Sequence, residues 1–365
     1  MTFIERRLFG HLDWLLLAAV LAICAMGITM IYSATQSTAP RLYVSQLYAL
    51  ALGLIALLVA LSIDYRTLAD QSHFIYIVIV ALLLYVLLFG AVRGGARRWI
   101  PLGASFNLQP SEFAKLAVAL VLAKFFGESR RGNPSLTDLA VAGGLAVLPL
   151  ILIARQPDLG TAVTIVPVYL AIAYAAGLPV RILGIIAVVA VLAAPVAWKF
   201  ALKDYQKQRI LTFIDPSKDT KGAGYQQIQA RITAGSGGLW GKGFMKGTQG
   251  QLRFLPVAHN DFIFSVWAEE QGFVGVVVAL GLYLFVIVRS LDAARLAKDR
   301  LGAYLILGVL ASFTFQVLYN VTMSAGLAPV KGLTLPLMSY GGSSLIATLA
   351  GFGLILNVRM RRFTN

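Results

Sequence analysis

The residue with the clearest potential for acid–base chemistry is Asp261. It follows His259 and Asn260 and precedes an apolar run that begins Phe-Ile-Phe. A carboxylate at the mouth of an apolar segment can take a proton from a hydroxyl group, because burial raises its pKa while nearby cations lower it. An aspartate just before an apolar run also predicts a helix N-cap. The sequence leaves the general-base and N-cap interpretations both open.

A second group of charged residues lies at the starts of two other apolar segments. Glu112 and Lys115, in QPSEFAKLA (109–117), are three residues apart and share one helix face, with Ser111 as the candidate N-cap. Asp158, in QPDLGTA (156–162), is the acid that we expect to reach Lys115. These residues predict either a structural ion pair or a substrate-contacting cluster. Asp158 and Glu112 are also candidate ligands for a divalent cation such as Mg²⁺ or Mn²⁺, although no spacing specifies a ligand set.

Two later regions add polar candidates. Glu269 and Glu270 follow in WAEEQGFVG (267–275), where we expect one to face a polar cavity and the other to lie at the interface. Near the C-terminal end, Lys331 leads into a run in which two glycines precede Ser343, a candidate N-cap. Free helix amides there are able to hold phosphate, and the alternative is a plain re-entrant connector.

Composition places these residues in a membrane protein. The 365 residues are 58% hydrophobic and 13% charged, with a mean hydropathy of +0.78, whereas soluble domains carry about twice that charged fraction. Cys24 is the single cysteine, which excludes an intrachain disulfide, and with three histidines we do not expect a multi-histidine metal site. The net charge of +15 would suggest nucleic acid in a soluble chain, but membrane orientation and anionic groups explain it here, and we expect no nucleic-acid partner.

The apolar segments predict an all-α polytopic fold of about ten transmembrane helices in one membrane domain, 1–365. They lie at 12–33, 42–63, 73–92, 112–127, 137–154, 159–177, 179–201, 265–288, 302–323 and 341–358. Two outer loops are predicted at 90–111 and at 202–264, the latter between the seventh and eighth helices. Pro157 predicts a break at Gln156. With the long outer segment set aside, Lys and Arg in the short loops favour a cytoplasmic N-terminus.

Several basic residues oppose that orientation bias and are expected at outer positions. Headgroup binding would explain them, and so would a pocket for a diphosphate group. They are Arg93, Arg97, Arg98, Lys115, Arg155 and Lys331. Phosphate-binding glycine loops, nucleophile elbows and zinc-ligand spacings do not occur in the sequence.

Seven runs together, in the same order and over nearly the whole chain, resemble the SEDS family (shape, elongation, division and sporulation). They are RRWIPLG (97–103), QPSEFAKLA (109–117), QPDLGTA (156–162), GSGGLWGKGF (235–244), GTQ (247–249), LPVAHNDFIFSVWAEEQGFVG (255–275) and LPLMSYGGSS (335–344). The GKGF and GTQ runs are similar to the RodA, cell-elongation branch. The VKGLTLP run (330–336), in contrast, also resembles the division branch, FtsW.

The resemblance implies a peptidoglycan glycosyltransferase of the bacterial cytoplasmic (inner) membrane, with ten spans and both termini cytoplasmic. Such enzymes join lipid II into β-1,4-linked glycan strands, release undecaprenyl diphosphate and work with a class B penicillin-binding protein that crosslinks the strands. Asp261 matches the family's essential acid, and Glu112, Lys115 and Asp158 match polar cavity positions. Asp261 is therefore the predicted catalytic residue. The predicted substrate-binding residues are Glu112, Lys115, Asp158, Arg98, Lys331 and Glu269.

The chain departs from the family pattern at three positions near the site. Val257 and Asn260 stand where the family often has Glu and Thr, so the surroundings of Asp261 are not carried over from the family. Ser45 stands before Gln46 where the family often has Arg, and Arg41 is the nearest base.

Three rival functions remain at this stage. A flippase or transporter of lipid-linked precursors predicts charged residues near the membrane midplane and an internal repeat symmetry. In this sequence the charged residues concentrate instead at the outer ends of the predicted spans. A polyprenyl-phosphate sugar transferase of another fold would place acids in the first outer loop, which has none. The third is a non-catalytic scaffold for cell-wall enzymes.

Overall fold

The computed structural model describes residues 10–36, 39–93, 96–101, 107–129, 134–200, 204–219, 222–251, 254–255 and 258–363. Four of the short-loop basic residues that favour a cytoplasmic N-terminus lie outside the described residues, namely Arg6, Arg7, Arg130 and Arg131. Val257, which departs from the family pattern, and the side chain of Arg93 lie outside them as well.

Helices dominate the described chain. They are α1 (Trp14–Thr35), α2 (Leu42–Ser62), α3 (Tyr65–Asp70), α4 (Ser72–Phe89), α5 (Pro110–Gly127), α6 (Leu136–Arg155), α7 (Leu159–Val163), α8 (Ile165–Ala175), α9 (Val180–Phe200), α10 (Asp204–Ile214), α11 (Ala223–Gly235), α12 (Thr248–Gln251), α13 (Ile263–Arg295), α14 (Arg300–Ser324) and α15 (Gly342–Met360). Short 3-10 turns occur at Pro216–Lys218 and Arg361–Phe363.

Seven of the described helices are long and apolar enough to cross a membrane, judged by length and composition. They are α1, α2, α4, α6, α13, α14 and α15. Three other predicted spans differ from this class. Helix α5 carries Glu112, Lys115 and Lys124 within 18 residues, the predicted span 159–177 is divided between α7 and α8, and the apolar part of α9 covers only 180–193. The chain is therefore an all-helical polytopic membrane protein in its membrane part.

The described part of the outer loop 90–111 is largely extended rather than helical before α5 begins at Pro110. It contains three short strands, β1 (Ala91–Arg93), β2 (Ala96–Pro101) and β3 (Asn107–Leu108), which pair antiparallel in that order. In the second pairing, Ile100 lies opposite Leu108. The sequence predicted a loop outside the membrane here, and such a loop can pair short strands while water satisfies the edge amides.

Close helix contacts centre on α15, which packs along α2 and reaches α14 and α5. A Cβ atom on Gly53 would lie 2.5 Å from Leu349 Cδ1, and one on Gly353 would lie 2.6 Å from Leu57 O. Small residues at both positions let the two backbones approach, as is typical of membrane helix pairs. This packing fixes the start of α15, which borders the site described below.

Helix α13 is interrupted at Gly272, so the predicted span 265–288 is not one continuous helix. Gly272 has φ 66° and ψ −167°, a conformation that is essentially restricted to glycine. The break separates a short helix that follows Asp261 from the long apolar helix that ends at Arg295. A Cβ atom at Gly272 would lie 2.2 Å from Gly241 N. The glycine-rich segment, residues 235–247, therefore packs directly on the break.

We expect Gly272→Ala to lower the free energy of unfolding by about 2–4 kcal/mol, since it combines backbone strain with a backbone clash. The matched control is Gly281→Ala in the same helix, where nothing lies within 4 Å of an added Cβ. That control should be neutral or slightly stabilising, because alanine favours helix more than glycine does. Thermal unfolding of the purified protein in detergent measures both. Equal unfolding temperatures for the two variants would contradict this account of the break.

Candidate active site

An open cavity of about 1600 Å³, counting the part that is open to solvent, lies where α2, α5, α7 and α15 begin. Its other walls are the outer-loop strands, the loop before α13 and the connector before α15, which is residues 332–341. Its polar lining consists of Ser45, Gln46, Arg98, Asn107, Gln109, Glu112, Asp158, Thr161, Asn260, Asp261, Thr334, Tyr340, Ser343 and Ser344. Four predicted site residues, Arg98, Glu112, Asp158 and Asp261, are thus brought together from distant parts of the sequence.

Asp261 lies in the loop just before α13, and its carboxylate faces the cavity. The N-cap interpretation is wrong, because Phe262 occupies the N-cap position and no side chain caps the helix. Asn320 of α14 donates hydrogen bonds to the backbone oxygens of Asp261 (2.9 Å) and Leu333 (2.7 Å). Asn320 therefore joins the Asp261 loop to the connector, while the Asp261 carboxylate accepts no hydrogen bond from the described residues.

The surroundings of Asp261 suit a proton acceptor. Burial raises its pKa from 3.8 to about 6; the positive charges of Arg98 and Arg209 act in the opposite direction, and Asp158 adds to the rise. A carboxyl group with this pKa is ionised at neutral pH yet is a stronger base than an exposed aspartate. Asp261 can therefore accept a proton from a hydroxyl group bound in the cavity.

Arg98 and Asp158 form a charged part of the wall in the cavity that Asp261 faces, and both influence its pKa. Asp158 is 3% exposed, and its Oδ1 lies 3.7 Å from Arg98 Nη1. Its Oδ1 also caps α7 by accepting from Thr161 N, and its Oδ2 accepts from Gln109 Nε2 at 2.8 Å. Buried Arg98 Nε has no acceptor among the described residues. Because buried donors are normally satisfied, this group is available to an anionic ligand.

Glu112 and Lys115 form an ion pair beside the cavity. Their side chains are each 6% exposed, and Lys115 Nζ lies 2.7 Å from Glu112 Oε2. Lys115 also donates to Gln316 Oε1 of α14 at 3.2 Å. Glu112 lines the cavity, whereas Lys115 lies behind it in an adjoining space of about 370 Å³. The expectation that Asp158 reaches Lys115 is wrong, because Asp158 is held by Arg98 and Gln109.

Two predicted caps are also wrong. Gln109, not Ser111, occupies the N-cap position of α5, because Pro110 begins the helix. Gly341, not Ser343, precedes α15. Ser343 instead connects α15 to the residues just before α5. Its Oγ accepts a hydrogen bond from Gln109 N and donates one to Asn107 O, both at 2.9 Å.

Glu269 and Glu270 do not line the cavity. Both are buried in the short helix before the break, where they hold the glycine-rich segment in place. Glu269 Oε1 lies 2.7 Å from Lys242 Nζ and accepts from Gln249 N at 3.1 Å. Glu270 accepts from Met245 N and from Ser33 of α1. The expectation that one of them faces a polar cavity is not met; substrate binding by Glu269 stays a prediction.

Lys331 lies one residue outside the cavity lining, next to Gly332. Its Nζ is 5.9 Å from the centre of the Tyr319 ring, and burial together with the nearby Arg209 lowers its pKa. Arg209, on the exposed side of α10, is a cation that sequence reasoning missed. It comes from the middle of the long outer segment, and no motif distinguishes it from the other basic residues there.

Sequence reasoning also missed the polar residues that hold the cavity walls together. Gln46 of α2 donates to Ser339 O at 3.2 Å and accepts from Gly341 N at 3.1 Å, which fixes the connector. Asn320 also holds the connector, through its hydrogen bond to Leu333 O. Amide side chains inside apolar helices are the signal that could have identified both, since such residues need partners within the protein.

Comparison with known proteins adds independent information. Residues 13–363 match the model of a family described as cell cycle protein, which covers FtsW, RodA and SpoVE. The chain is 39% identical over 352 residues to the peptidoglycan glycosyltransferase MrdB of Escherichia coli K12, covering 96% of this chain and 94% of MrdB. A probable peptidoglycan glycosyltransferase FtsW of Trichlorobacter lovleyi is 36% identical over 358 residues, covering 95% and 92%. A solved chain from a peptidoglycan synthase complex that coordinates polymerization and crosslinking superposes with a TM-score of 0.86 at 36% identity, covering 97% and 99%.

Proposed function

Because the chain belongs to the FtsW, RodA and SpoVE family of cell cycle proteins, we propose that it is a peptidoglycan glycosyltransferase that polymerises lipid II into β-1,4-linked glycan strands during cell elongation. The single observation that carries the mechanism is the cavity-facing carboxylate of Asp261, with a pKa raised to about 6 beside Arg98. The relatives support the reaction class, since MrdB and FtsW are both named as peptidoglycan glycosyltransferases. The GKGF and GTQ runs support the elongation branch.

The reaction forms a bond between the 4-hydroxyl oxygen of the acceptor sugar and C1 of the donor sugar, and it breaks the bond from C1 to the diphosphate. Asp261 accepts the hydroxyl proton as general base, so the oxygen can attack the face opposite the leaving group and invert the configuration at C1. The diphosphate leaves without a proton when cations offset its charge. A single carboxylate is therefore sufficient for this chemistry.

Charge compensation falls to the basic residues around the cavity. Arg98 lines it and has an unused donor at Nε, so we assign this residue to the diphosphate. Lys331 and Lys115 lie behind the lining and contribute through their charge. Asn260 Oδ1 and Asn107 Oδ1 are buried acceptors without a partner among the described residues, and they suit sugar hydroxyl groups.

A divalent ion, Mg²⁺ or Mn²⁺, would share this task by neutralising the diphosphate. Its candidate ligands, Asp158 and Glu112, are already paired with Arg98 and Lys115. The described part of the chain groups no three His, Cys, Asp or Glu side chains suitable for a metal. Asp158 or Glu112 would hold such an ion only by exchanging its present partner, and every step of the reaction proposed here is assigned to the chain's own residues.

The membrane arrangement we propose has ten spans, with both termini cytoplasmic and the cavity at the outer face of the bacterial cytoplasmic (inner) membrane. The three helical regions beyond the seven long helices, α5, α7 with α8, and α9, supply the additional spans. A class B penicillin-binding protein is the proposed partner. This agrees with the match to a peptidoglycan synthase complex that coordinates polymerization and crosslinking.

The test is gel analysis of the product made by pure protein from pure lipid II, over a range of pH and with and without chelator. The ionised form of Asp261 is the active base, so we expect the rate to rise about tenfold per pH unit below about 6 and to level off above it. A pH-independent rate across this range would contradict the base assignment. Transport of lipid II in vesicles without any polymer would favour the flippase instead.

A further inference from the structure

A second charged cavity lies at the end of α1 and α13 that is remote from Asp261. It has about 640 Å³ of empty space, counting the part open to solvent. Its lining includes Asp13, Trp14, Leu15, Arg289, Arg359 and Arg362. None of these residues takes part in the proposed reaction.

Two contacts fix the position of this cavity across the membrane. Helices α1 and α13 run antiparallel, with Ser33 bonded to Glu270 near the active site and Asp13 bonded to Arg289 at the other end. The 20 steps from residue 13 to residue 33 span about 30 Å at a rise of 1.5 Å per residue. Since this equals the thickness of the hydrocarbon layer, the second cavity lies at the opposite membrane surface from the active site.

The cavity is rich in arginine. One buried carboxylate, Asp13, is shared by two of the arginines: its Oδ2 lies 2.9 Å from Arg289 Nε and 2.6 Å from Arg359 Nη1. With Arg362, the lining holds three guanidinium groups and one carboxylate. Arg289 lies on α13, Arg359 near the end of α15 and Arg362 in the 3-10 turn that follows it. The Arg289 side chain is 34% exposed. Planar guanidinium groups held in this way suit the oxygens of a phosphate group.

Apolar surface adjoins these cations. Trp14 and Leu15, on the first turn of α1, are 57% and 62% exposed and also line the cavity. A free phosphate ion has no apolar part that would bind to such a surface. A phospholipid presents its phosphate directly beside its acyl chains, and tryptophan favours that interface. Charge and shape therefore match an anionic lipid better than a soluble anion.

We propose that this cavity binds the phosphate headgroup of an anionic phospholipid, with Arg289 and Arg362 on the phosphate oxygens and Trp14 and Leu15 beside the acyl chains. Basic pockets between membrane helices on the cytoplasmic side recognise headgroups in this way. The site is separate from the reaction at the outer cavity, so either proposal can fail without the other.

The experiment measures lipid binding to the purified full chain by native mass spectrometry and by the shift in unfolding temperature. The probes are dioleoylphosphatidylglycerol, dioleoylphosphatidylcholine and inorganic phosphate. We expect the anionic lipid to bind and stabilise the protein. Arg289→Gln with Arg362→Gln should weaken this binding about 30-fold, since each arginine near an anionic headgroup contributes about fivefold. Arg362→Gln alone, in the terminal 3-10 turn, guards against misfolding of the double variant.

The matched control is Arg295→Gln with Arg300→Gln, which removes the same charge outside the cavity lining, at the junction of α13 and α14. It should bind the anionic lipid as the unchanged protein does. Equal losses in the two double variants would overturn the proposal, because they would indicate non-specific attraction. Equal binding of phosphatidylcholine, or stabilisation by inorganic phosphate alone at the same concentration, would overturn it as well.

Discussion

Asp261→Asn is expected to lower the rate of glycan polymerisation from lipid II by about 10²–10⁴-fold, because the amide cannot accept the proton of the acceptor hydroxyl. Asparagine keeps the size of the side chain and its place in the cavity, so substrate binding should change little. The loss should therefore appear in kcat rather than in KM. Single-turnover assays with purified protein and labelled lipid II measure this directly.

Stability provides the control for this variant. Burial raises the pKa of Asp261 to about 6, above its ordinary value of 3.8, so the folded state disfavours the ionised carboxylate. Between these two values the folded state binds more protons than the unfolded state, and stability falls as the pH rises through this window. Above pH 6, Asp261→Asn should therefore be at least as stable as the unchanged protein.

A matched substitution separates charge loss from loss of the base. Asp204→Asn changes an exposed aspartate in the first turn of α10, outside the cavity lining. It should leave the rate within about twofold, since exposed positions away from a site contribute little. A stably folded Asp261→Asn protein that still makes polymer at the unchanged rate would remove the general base from the mechanism.

The membrane fold follows largely from the sequence, because apolar length alone marks a spanning helix. Seven predicted spans correspond to long apolar helices, and the break at Gln156 and Pro157 lies between α6 and α7. The break at Gly272 was not predictable in the same way. It depends on the approach of Gly241 from a distant segment, and a glycine inside an apolar run gives no sign of its φ angle.

Four of the seven predicted site residues line one cavity, whereas most of their pairings were not predicted. These four are Asp261, Asp158, Glu112 and Arg98; Lys115, Lys331 and Glu269 lie outside the lining, and the roles predicted for all seven stay predictions. Sequence spacing gives the Glu112–Lys115 pair, because both lie on one helix. It could not give the contact between Asp158 and Arg98, which depends on where the strands of the outer loop fold relative to α7. Arg209 was missed for the same reason.

The ion pair of α5 leads to the second large effect. We expect Lys115→Met to lower the free energy of unfolding by about 3–5 kcal/mol, because it leaves the buried carboxylate of Glu112 without its cation. Both side chains are only 6% exposed, so water cannot replace the lost partner. The matched control is Lys124→Met at the other end of the same helix. Its partners Asp70 and Glu128 are largely exposed, and it should cost about 1 kcal/mol or less.

The combined variant Glu112→Gln with Lys115→Met distinguishes structure from function in this pair. Removing both charges together should recover most of the stability, since no buried charge remains unpaired. Polymerisation should nevertheless stay at least about tenfold below normal, because Glu112 lines the cavity and the charge of Lys115 helps to offset the diphosphate. Thermal unfolding and the lipid II assay on the same samples decide the matter. A combined variant that is both stable and fully active would reduce the pair to a structural contact and would leave Arg98 and Lys331 as the cations that offset the charge of the leaving group.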